Sequence, residues 1–416
     1  MIMASVLVIW LAVSHKEEIN DEGQQETTKL EETVDNTIEI WYAYKGYDKY
    51  LEYAIKDYIQ NQNKDITIEL KYIGEPGYFD YINAQSLDGK GPDLFIMGSE
   101  YMEKAYLLGI LEDNYNSEIY NTNNYPQIAL DAATYSGRLV GYPMGFDTSA
   151  MLANNKYVSE KITTFVKLKI FADTFGKTEE EDGESNAGEN QTVDISNISA
   201  IISWDVNKLL MNYGFIGKYI KFSNEKSKEV DMNNSSVITA AKDYILLKDY
   251  FSLTGEDDYE TVKSKFYNQE IVFAIVGTDI LKINHNSDIQ YTISEIPNLT
   301  DSIECTSLSY TDILAVNHKG NNKEIATSLA EYLSYTFAEN MHTYSGIISC
   351  RDSIEYADNR IDEFLKIYAQ SVSMPNMMET EDYNIIMEES LKAIWNGADV
   401  MEMFNSLQKK YSERFR

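Results

Sequence analysis

The sequence is poor in the residues that build metal centres and disulfide scaffolds. Among its 416 residues there are two cysteines, Cys305 and Cys350. Two are too few for a disulfide framework, so they either pair with each other or remain buried free thiols. The four histidines are scattered along the chain, and no two of them have the spacing of metal ligands. We therefore expect neither a metal site nor a cofactor.

Positive charge is also scarce. The chain has 35 Lys and Arg residues against 67 Asp and Glu residues, which gives a formal net charge of −32. Such a chain repels phosphate backbones, which argues against nucleic acid as a partner. The acidity indicates a well-solvated surface, and a cation-binding role is the alternative interpretation.

The signatures of common enzyme classes do not occur. The sequence contains no G-x-S-x-G elbow, no H-E-x-x-H pair and no G-x-x-x-x-G-K-[ST] phosphate loop. These patterns position a nucleophile, a zinc ion and a nucleotide phosphate, respectively. We therefore assign no catalytic residue and do not expect an enzyme.

The N-terminal 36 residues differ from the rest of the chain. Residues 1–13 form an almost unbroken apolar run, which is too short for a membrane-spanning helix but has the length of a signal-peptide core. Residues 16–36 are polar and unpatterned, as in a tether. We interpret 1–36 as a signal-like segment and tether, which implies an exported, extracytoplasmic protein at the cell surface or associated with a membrane. A buried N-terminal helix or strand is the alternative.

Hydrophobic periodicity predicts an α/β fold. Alternating strands at 38–42 and 66–72 flank a helix that begins near Asp48, and a turn at 91–93 leads into an apolar strand at 94–97 and a helix ending at Gly109. This succession is typical of α/β domains. Two further buried strands are predicted at 271–277 and 313–317. Later helices are predicted at 237–250, 259–267, 322–336, 361–372, 383–396 and 399–412.

Several sequence blocks, in order, resemble the family-1 extracellular solute-binding proteins, and within them the maltose- and maltodextrin-type proteins. The first is the strand IEIWY at 38–42 followed by KGY at 45–47. The others are GPDLFIMG at 91–98 with AYLLGIL at 105–111, YSGRLVGYP at 135–143, FYNQEIVFAIVG at 266–277, and MPN at 374–376.

The resemblance implies a periplasmic-binding-protein-like fold with two lobes. Each lobe would have a doubly wound sheet, the lobes would be joined by hinge crossings, and the C-terminal part would be rich in helices. Lobe one would comprise 37–146 and 300–347, and lobe two 147–299 and 348–416, with an acidic flexible insertion at 173–194. The protein would be a monomer that holds a small polar ligand, most simply a saccharide, between its lobes and delivers it to the permease of an ABC importer.

The resemblance also suggests ligand-binding residues. By family position, Lys45, Glu100 and Asp147 resemble residues that hydrogen-bond sugar hydroxyls. The ordinary alternatives are a solvated loop lysine, a carboxylate that stabilises its helix N-terminus, and a turn cap. Met97 and Asp279 are candidates because they stand where maltodextrin relatives place tryptophans. Further candidates are the aromatic residues Tyr44, Tyr213 and Tyr383.

Other interpretations remain open at this stage. Two carboxylates facing each other across a cleft are also typical of a secreted glycoside hydrolase. A ligand-presenting module for a membrane sensor kinase would have the same sequence features as a transport receptor. Polyamines or other cations are an alternative cargo, because Glu100, Asp147 and Asp279 would together form an acidic cleft. Trp41, Trp204 and Trp395 are predicted to be core residues.

Overall fold

The computed structural model describes residues 36–74, 76–176, 194–222, 230–282, 289–375, 377 and 379–414. The signal-like segment and tether predicted at 1–36 lie outside this range except for Asn36. Of the acidic insertion predicted at 173–194, residues 177–193 also lie outside it.

Fifteen strands occur within the described ranges. They are β1 Thr37–Tyr42, β2 Thr67–Tyr72, β3 Leu94–Gly98, β4 Thr134–Tyr135, β5 Arg138–Leu139, β6 Tyr142–Thr148, β7 Ala150–Asn154, β8 Ala200–Ser203, β9 Lys221–Phe222, β10 Val230–Asp231, β11 Ile271–Val276, β12 Tyr291–Ser294, β13 Leu308–Val316, β14 Ile348–Ser349 and β15 Val372–Ser373.

Thirteen α-helices alternate with these strands in the part of the chain that is described. They are α1 Asp48–Asn61, α2 Tyr78–Leu87, α3 Met102–Leu107, α4 Gln127–Ala132, α5 Phe165–Thr174, α6 Leu209–Asn212, α7 Ser235–Phe251, α8 Tyr259–Tyr267, α9 Lys323–Glu331, α10 Met341–Ser345, α11 Asn359–Gln370, α12 Thr380–Trp395 and α13 Val400–Arg414. The predicted α/β fold class is confirmed.

Two mixed sheets form the framework. The larger has the strand order β14-β6-β13-β3-β1-β2, with β15 paired to β13, and the smaller has the order β12-β7-β11-β8. In the larger sheet β1 runs parallel to β2 and β3, whereas β13 runs antiparallel to β3 and β6. In the smaller sheet β11 is parallel to β8 and antiparallel to β7.

The chain passes from the larger to the smaller sheet within a single residue. Strand β6 ends at Thr148 and β7 begins at Ala150, so only Ser149 separates strands of different sheets. The chain returns between β12 and β13, through residues 295–307. The predicted lobe boundaries stay a prediction. Two short strands from the part assigned to lobe two, β14 and β15, pair with strands of the larger sheet.

Helix faces follow the apolar spacing of the sequence. In the helix predicted at 399–412, the apolar spacing predicts Val400, Met401, Phe404, Leu407 and Tyr411 on one face. In α13 four of these residues are buried, but Met401 is 51% exposed. Met401 follows Val400 by one position, so it points about a quarter turn away from the buried stripe. The three tryptophans predicted as core are buried.

Both cysteines are free thiols, so the alternative that they pair with each other is wrong. Burial raises the pKa of the Cys305 thiol to about 12. Burial also raises the pKa of Cys350, whose sulfur lies 3.6 Å from the Tyr368 hydroxyl oxygen. Both thiols are therefore protonated at neutral pH.

None of the helices within the described ranges combines the length and the apolar character that a membrane span requires.

Candidate ligand-binding site

A cavity of about 350 Å³ lies between the two sheets. This volume is within the range of small-molecule sites in proteins. Its walls combine acidic, basic, hydroxyl and aromatic side chains. The lining residues are Tyr44, Phe146, Asp147, Lys208, Leu210, Tyr259, Thr278, Asp279, Lys282, Tyr310, Asp312 and Ile347.

One wall belongs to the larger sheet. Asp147 lies near the end of β6, and its backbone pairs with Tyr310 of β13. Asp312 follows two residues later in β13, so its side chain and that of Tyr310 point to the same face of the strand. With Tyr44 from the loop after β1, this wall has two phenol rings, Tyr44 and Tyr310. The carboxylates of Asp147 and Asp312 lie on the same wall.

The opposite wall belongs to elements around the smaller sheet. Thr278, Asp279 and Lys282 lie in a short 3₁₀ segment directly after β11. Tyr259 is the first residue of α8, and Lys208 immediately precedes α6. The segment after β11 therefore stands at the carboxyl end of a buried strand, which is where open α/β sheets bind ligands.

Asp147 connects the two walls. Its Oδ1 accepts hydrogen bonds from the Thr278 backbone N–H at 2.9 Å and from the Thr278 hydroxyl at 2.8 Å. Burial raises the pKa of the Asp147 carboxyl, although the two bonds from Thr278 act in the opposite direction. Both bonds end on one oxygen, which leaves Oδ2 as the second acceptor of this carboxylate.

Asp279 belongs to a charged cluster with α8. Its Oδ1 accepts from the Tyr259 hydroxyl, and its Oδ2 accepts from Lys263 Nζ at 2.8 Å. The Tyr259 oxygen in turn accepts from the Gly277 backbone N–H at 2.7 Å. Burial and the charge of Asp279 raise the pKa of Tyr259 far above its usual value, so this phenol stays protonated as a donor.

Lys282, in the segment after β11, contacts Tyr44 in the loop after β1, which belongs to the opposite wall. Its Nζ donates to the Tyr44 hydroxyl at 3.2 Å and lies 5.4 Å from the centroid of the Tyr44 ring. The Lys208 ammonium lies 4.0 Å from the centroid of the Tyr259 ring. Both lysines therefore have their charges beside aromatic surfaces of the cavity.

Three predicted site residues meet in this cavity, namely Tyr44, Asp147 and Asp279. Glu100 stands close to it: its carboxylate folds back over Gly98, and its charge contributes, after burial, to a raised pKa of Tyr310. Lys45 is exposed, and its ammonium lies 4.9 Å from the centroid of the Tyr72 ring, outside the cavity lining.

The other predicted site residues lie elsewhere. Met97 is 3% exposed and packs in an apolar cluster with Trp41. Tyr213 and Tyr383 are buried, and their hydroxyl oxygens are 3.1 Å apart in a hydrogen bond. Because these three side chains are enclosed by the core, we leave them out of the proposed site.

The sequence reasoning missed most of the residues of this lining. Thr278 and Lys282 lie in the same short segment as Asp279, directly after the strand predicted at 271–277, and this position at the end of a strand could have indicated them. Tyr310 and Asp312 were missed because β13 was predicted to begin at 313, whereas it begins at Leu308. No local signal distinguishes Lys208 from the other lysines of the sequence.

The raised pKa of Asp147 predicts how stability depends on pH. The folded state holds the Asp147 proton at pH values where the unfolded chain, with a carboxyl pKa of about 4, has lost it. As pH rises from about 4 through the folded pKa, the wild type should lose stability relative to Asp147→Asn, which cannot ionise. Urea unfolding of both proteins between pH 4 and pH 7 measures this difference. A difference that is constant, or that grows in favour of the wild type, would contradict it.

No group of three or more His, Cys, Asp or Glu side chains within the described ranges is arranged to hold a metal ion.

Comparisons with known proteins agree with this architecture. The galactooligosaccharide-binding protein of Bacillus subtilis is 21% identical over 302 residues, which cover 69% of this chain and 67% of that protein. The maltotriose-binding protein of Pyrococcus abyssi is 22% identical over 236 residues, covering 55% of this chain and 47% of that protein. The chain thus matches about half the length of this second relative.

The fold is that of known solute-binding proteins. An extracellular solute-binding protein from Staphylococcus aureus, solved in complex with maltose, superposes with a TM-score of 0.73 at 16% identity, covering 91% of this chain and 97% of that one. The profile of the family described as "Bacterial extracellular solute-binding protein" matches residues 54–362. The chain therefore belongs to the bacterial extracellular solute-binding proteins, a non-enzymatic family that supplies the substrate-binding components of ABC importers.

Proposed function

We propose that this protein binds an oligosaccharide in the cavity between its two sheets and delivers it to the permease of an ABC importer. The observation that carries this proposal is the composition of the cavity walls, which combine carboxylates, ammonium groups and phenol rings from both sheets. The names of the relatives, a galactooligosaccharide-binding and a maltotriose-binding protein, support the same class of cargo.

These side chains suit a sugar chemically. Each sugar hydroxyl donates one hydrogen bond and accepts others, so a sugar site needs acceptors and donors side by side. Asp147 and Asp279 supply charged acceptors, and Lys282 supplies a charged donor. The rings of Tyr44 and Tyr310 offer apolar surface for the C–H faces of the sugar.

Binding would favour the arrangement in which both walls contact the ligand. Residues from the larger sheet and from the segment after β11 line the same cavity. A ligand that bridges them gains free energy only when the walls are close, so it shifts the population toward a closed form. In this proposal the lobes have the predicted boundaries 37–146 with 300–347 and 147–299 with 348–416, and closure is the change that the permease recognises.

The alternatives have unequal support. The glycoside hydrolase interpretation is withdrawn, because the family is non-enzymatic. A role in presenting ligand to a sensor kinase remains an alternative that neighbouring genes would distinguish. A polyamine cargo is favoured by the three carboxylates of the lining but opposed by its two lysines, because like charges repel across a closed site.

Thermal shift against a saccharide panel tests the proposal. The panel contains maltose, maltotriose, galactooligosaccharides and uronate-containing oligosaccharides, with spermidine as the cationic arm. A ligand present at about 100 times its Kd adds about 2.7 kcal/mol to the free energy of unfolding, which raises the melting temperature measurably. A shift with spermidine alone would make a polyamine the cargo in place of a saccharide. The absence of a shift with every saccharide would overturn the proposal.

A further inference from the structure

The carboxylates of the cavity already accept hydrogen bonds from the protein. Asp147 accepts twice from Thr278. Asp279 accepts from Tyr259 and from Lys263 Nζ, so its charge is balanced by a buried ammonium group. Asp312 accepts from the Tyr47 hydroxyl at 2.8 Å. All three acidic groups of the lining are thus engaged with donors of the protein.

The two lysines of the lining are in a different state. Lys208 contacts the Tyr259 ring, and Lys282 contacts the Tyr44 hydroxyl and ring. Within the described part of the chain, neither ammonium group forms an ion pair with a carboxylate. Lys263 does not line the cavity but lies behind Asp279, and it forms two ion pairs, one with Asp279 and one with Glu260. The two lysines that face the cavity therefore have no carboxylate partner in the described part of the chain, whereas Lys263 behind them has two.

Closing the cavity over a ligand would remove water from these two ammonium groups. Desolvation of a charge is costly unless an opposite charge or several hydrogen bonds replace the lost water. A neutral sugar offers only hydroxyl acceptors, whereas an anionic sugar offers a counter-charge. Salt screens the net charge of −32 of the distant surface over about 8 Å at physiological ionic strength. Asp147 and Asp312 line the cavity itself and repel an anion, so the charged substituent has to lie at the two lysines and away from these carboxylates.

We propose that the cargo is a saccharide that carries an anionic group, a uronate carboxylate or a sulfate ester, and that Lys208 and Lys282 select it. This inference rests on the proposed function, since it names the class of sugar that the same cavity takes. The Tyr44 ring beside Lys282 covers the sugar ring, while the two lysines hold its charged substituent.

Two matched ligand pairs isolate the charge. The first is trigalacturonate and its fully methyl-esterified form, which have the same skeleton but differ in charge. The second is galactose 6-sulfate and galactose. Isothermal titration calorimetry of the intact chain should give at least tenfold tighter binding for the charged member of one pair, and the pair that responds identifies the anionic group.

Lysine variants assign the effect to residues. Lys208→Gln and Lys282→Gln should each weaken binding of the charged ligand about tenfold, as expected for the loss of one charge-assisted bond. They should change binding of the uncharged partner less than threefold, because the glutamine amide can still donate a hydrogen bond to a sugar hydroxyl. Lys282→Arg should retain most of the preference. Lys161→Gln is the matched control, because Lys161 pairs with Glu295 at 2.9 Å outside this cavity.

The outcomes separate the two levels of the proposal. Equal or tighter binding of the uncharged member in both pairs would overturn the charge inference and leave a neutral saccharide receptor. Loss of affinity for both members of a pair in the lysine variants would overturn the assignment to charge, since the side chains would then act on the sugar itself. Failure of every saccharide, charged or neutral, would overturn the proposed function together with this inference.

Discussion

Replacing Trp204 with alanine is expected to lower the free energy of unfolding by about 3–5 kcal/mol, the usual cost of removing a large aromatic side chain from a core. Trp204 is 1% exposed, and its ring centroid lies 5.9 Å from that of Phe215 and 5.8 Å from that of Trp395. Its indole N–H donates to Asn212 Oδ1 at 2.9 Å. The variant therefore creates a cavity and also removes a donor from a buried amide.

Circular dichroism during urea unfolding measures this loss, because the substitution removes a tryptophan fluorophore. Leu246→Ala on α7 is the control: Leu246 is 43% exposed, so its truncation should change the free energy of unfolding by less than about 1 kcal/mol. A loss below about 1 kcal/mol in Trp204→Ala would show that this part of the core is loosely packed and would contradict the prediction.

Replacing Asp147 with asparagine is expected to weaken saccharide binding about 10- to 100-fold, which corresponds to the loss of a charged acceptor worth about 1.5–3 kcal/mol. Both bonds from Thr278 end on Oδ1, so an asparagine carbonyl oxygen can keep them. The change is therefore confined to the second oxygen, which becomes an NH₂ group and can no longer accept from a sugar hydroxyl.

Calorimetric titration with the best ligand of the panel measures this effect. Asp80→Asn is the control, because Asp80 is 74% exposed and pairs with Lys104 on the surface. Its affinity should equal that of the wild type. Unchanged affinity in Asp147→Asn would remove this carboxylate from the proposed site while leaving the cavity itself as a candidate.

The sequence predicted the elements well wherever the signal was local. The helix predicted at 259–267 occurs at Tyr259–Tyr267, and the strand predicted at 271–277 occurs at Ile271–Val276. Asp399 stands directly before the last helix, where a capping residue is expected, and its carboxylate accepts from the Glu402 N–H at 2.8 Å. These features depend on a few neighbouring residues, so their patterns are readable in the sequence.

Features that depend on distant residues were predicted less well. The helix predicted at 322–336 is α-helical only at Lys323–Glu331 and continues as a π-helical turn at Tyr332–Thr336. In this turn the Tyr332 hydroxyl bonds to Asp57 of α1. Asp57 is nearly three hundred residues away in the sequence. A change from α-helix to π-helix at such a long-range contact has no signal in the local hydrophobic period.

The site shows the same division. Asp147 and Asp279 were selected by their positions in the family resemblance, and both line the cavity. The hydrogen bonds of these two carboxylates were not predictable, because Thr278 reaches Asp147 and Lys263 reaches Asp279 only after the sheets have formed. Met97 was selected by alignment with an aromatic position, but its strand faces the apolar cluster around Trp41. Residue identity alone does not determine which face of a central strand meets a cleft.

The two native thiols make this chain convenient for site-specific labelling. Cys350 is buried and Cys305 is mostly enclosed, and their raised pKa values keep both protonated near neutral pH. Maleimides and iodoacetamides react with the thiolate form, so an introduced surface cysteine would react far faster than either native one. A fluorophore attached beside the cavity would then report ligand binding optically without removal of the native cysteines.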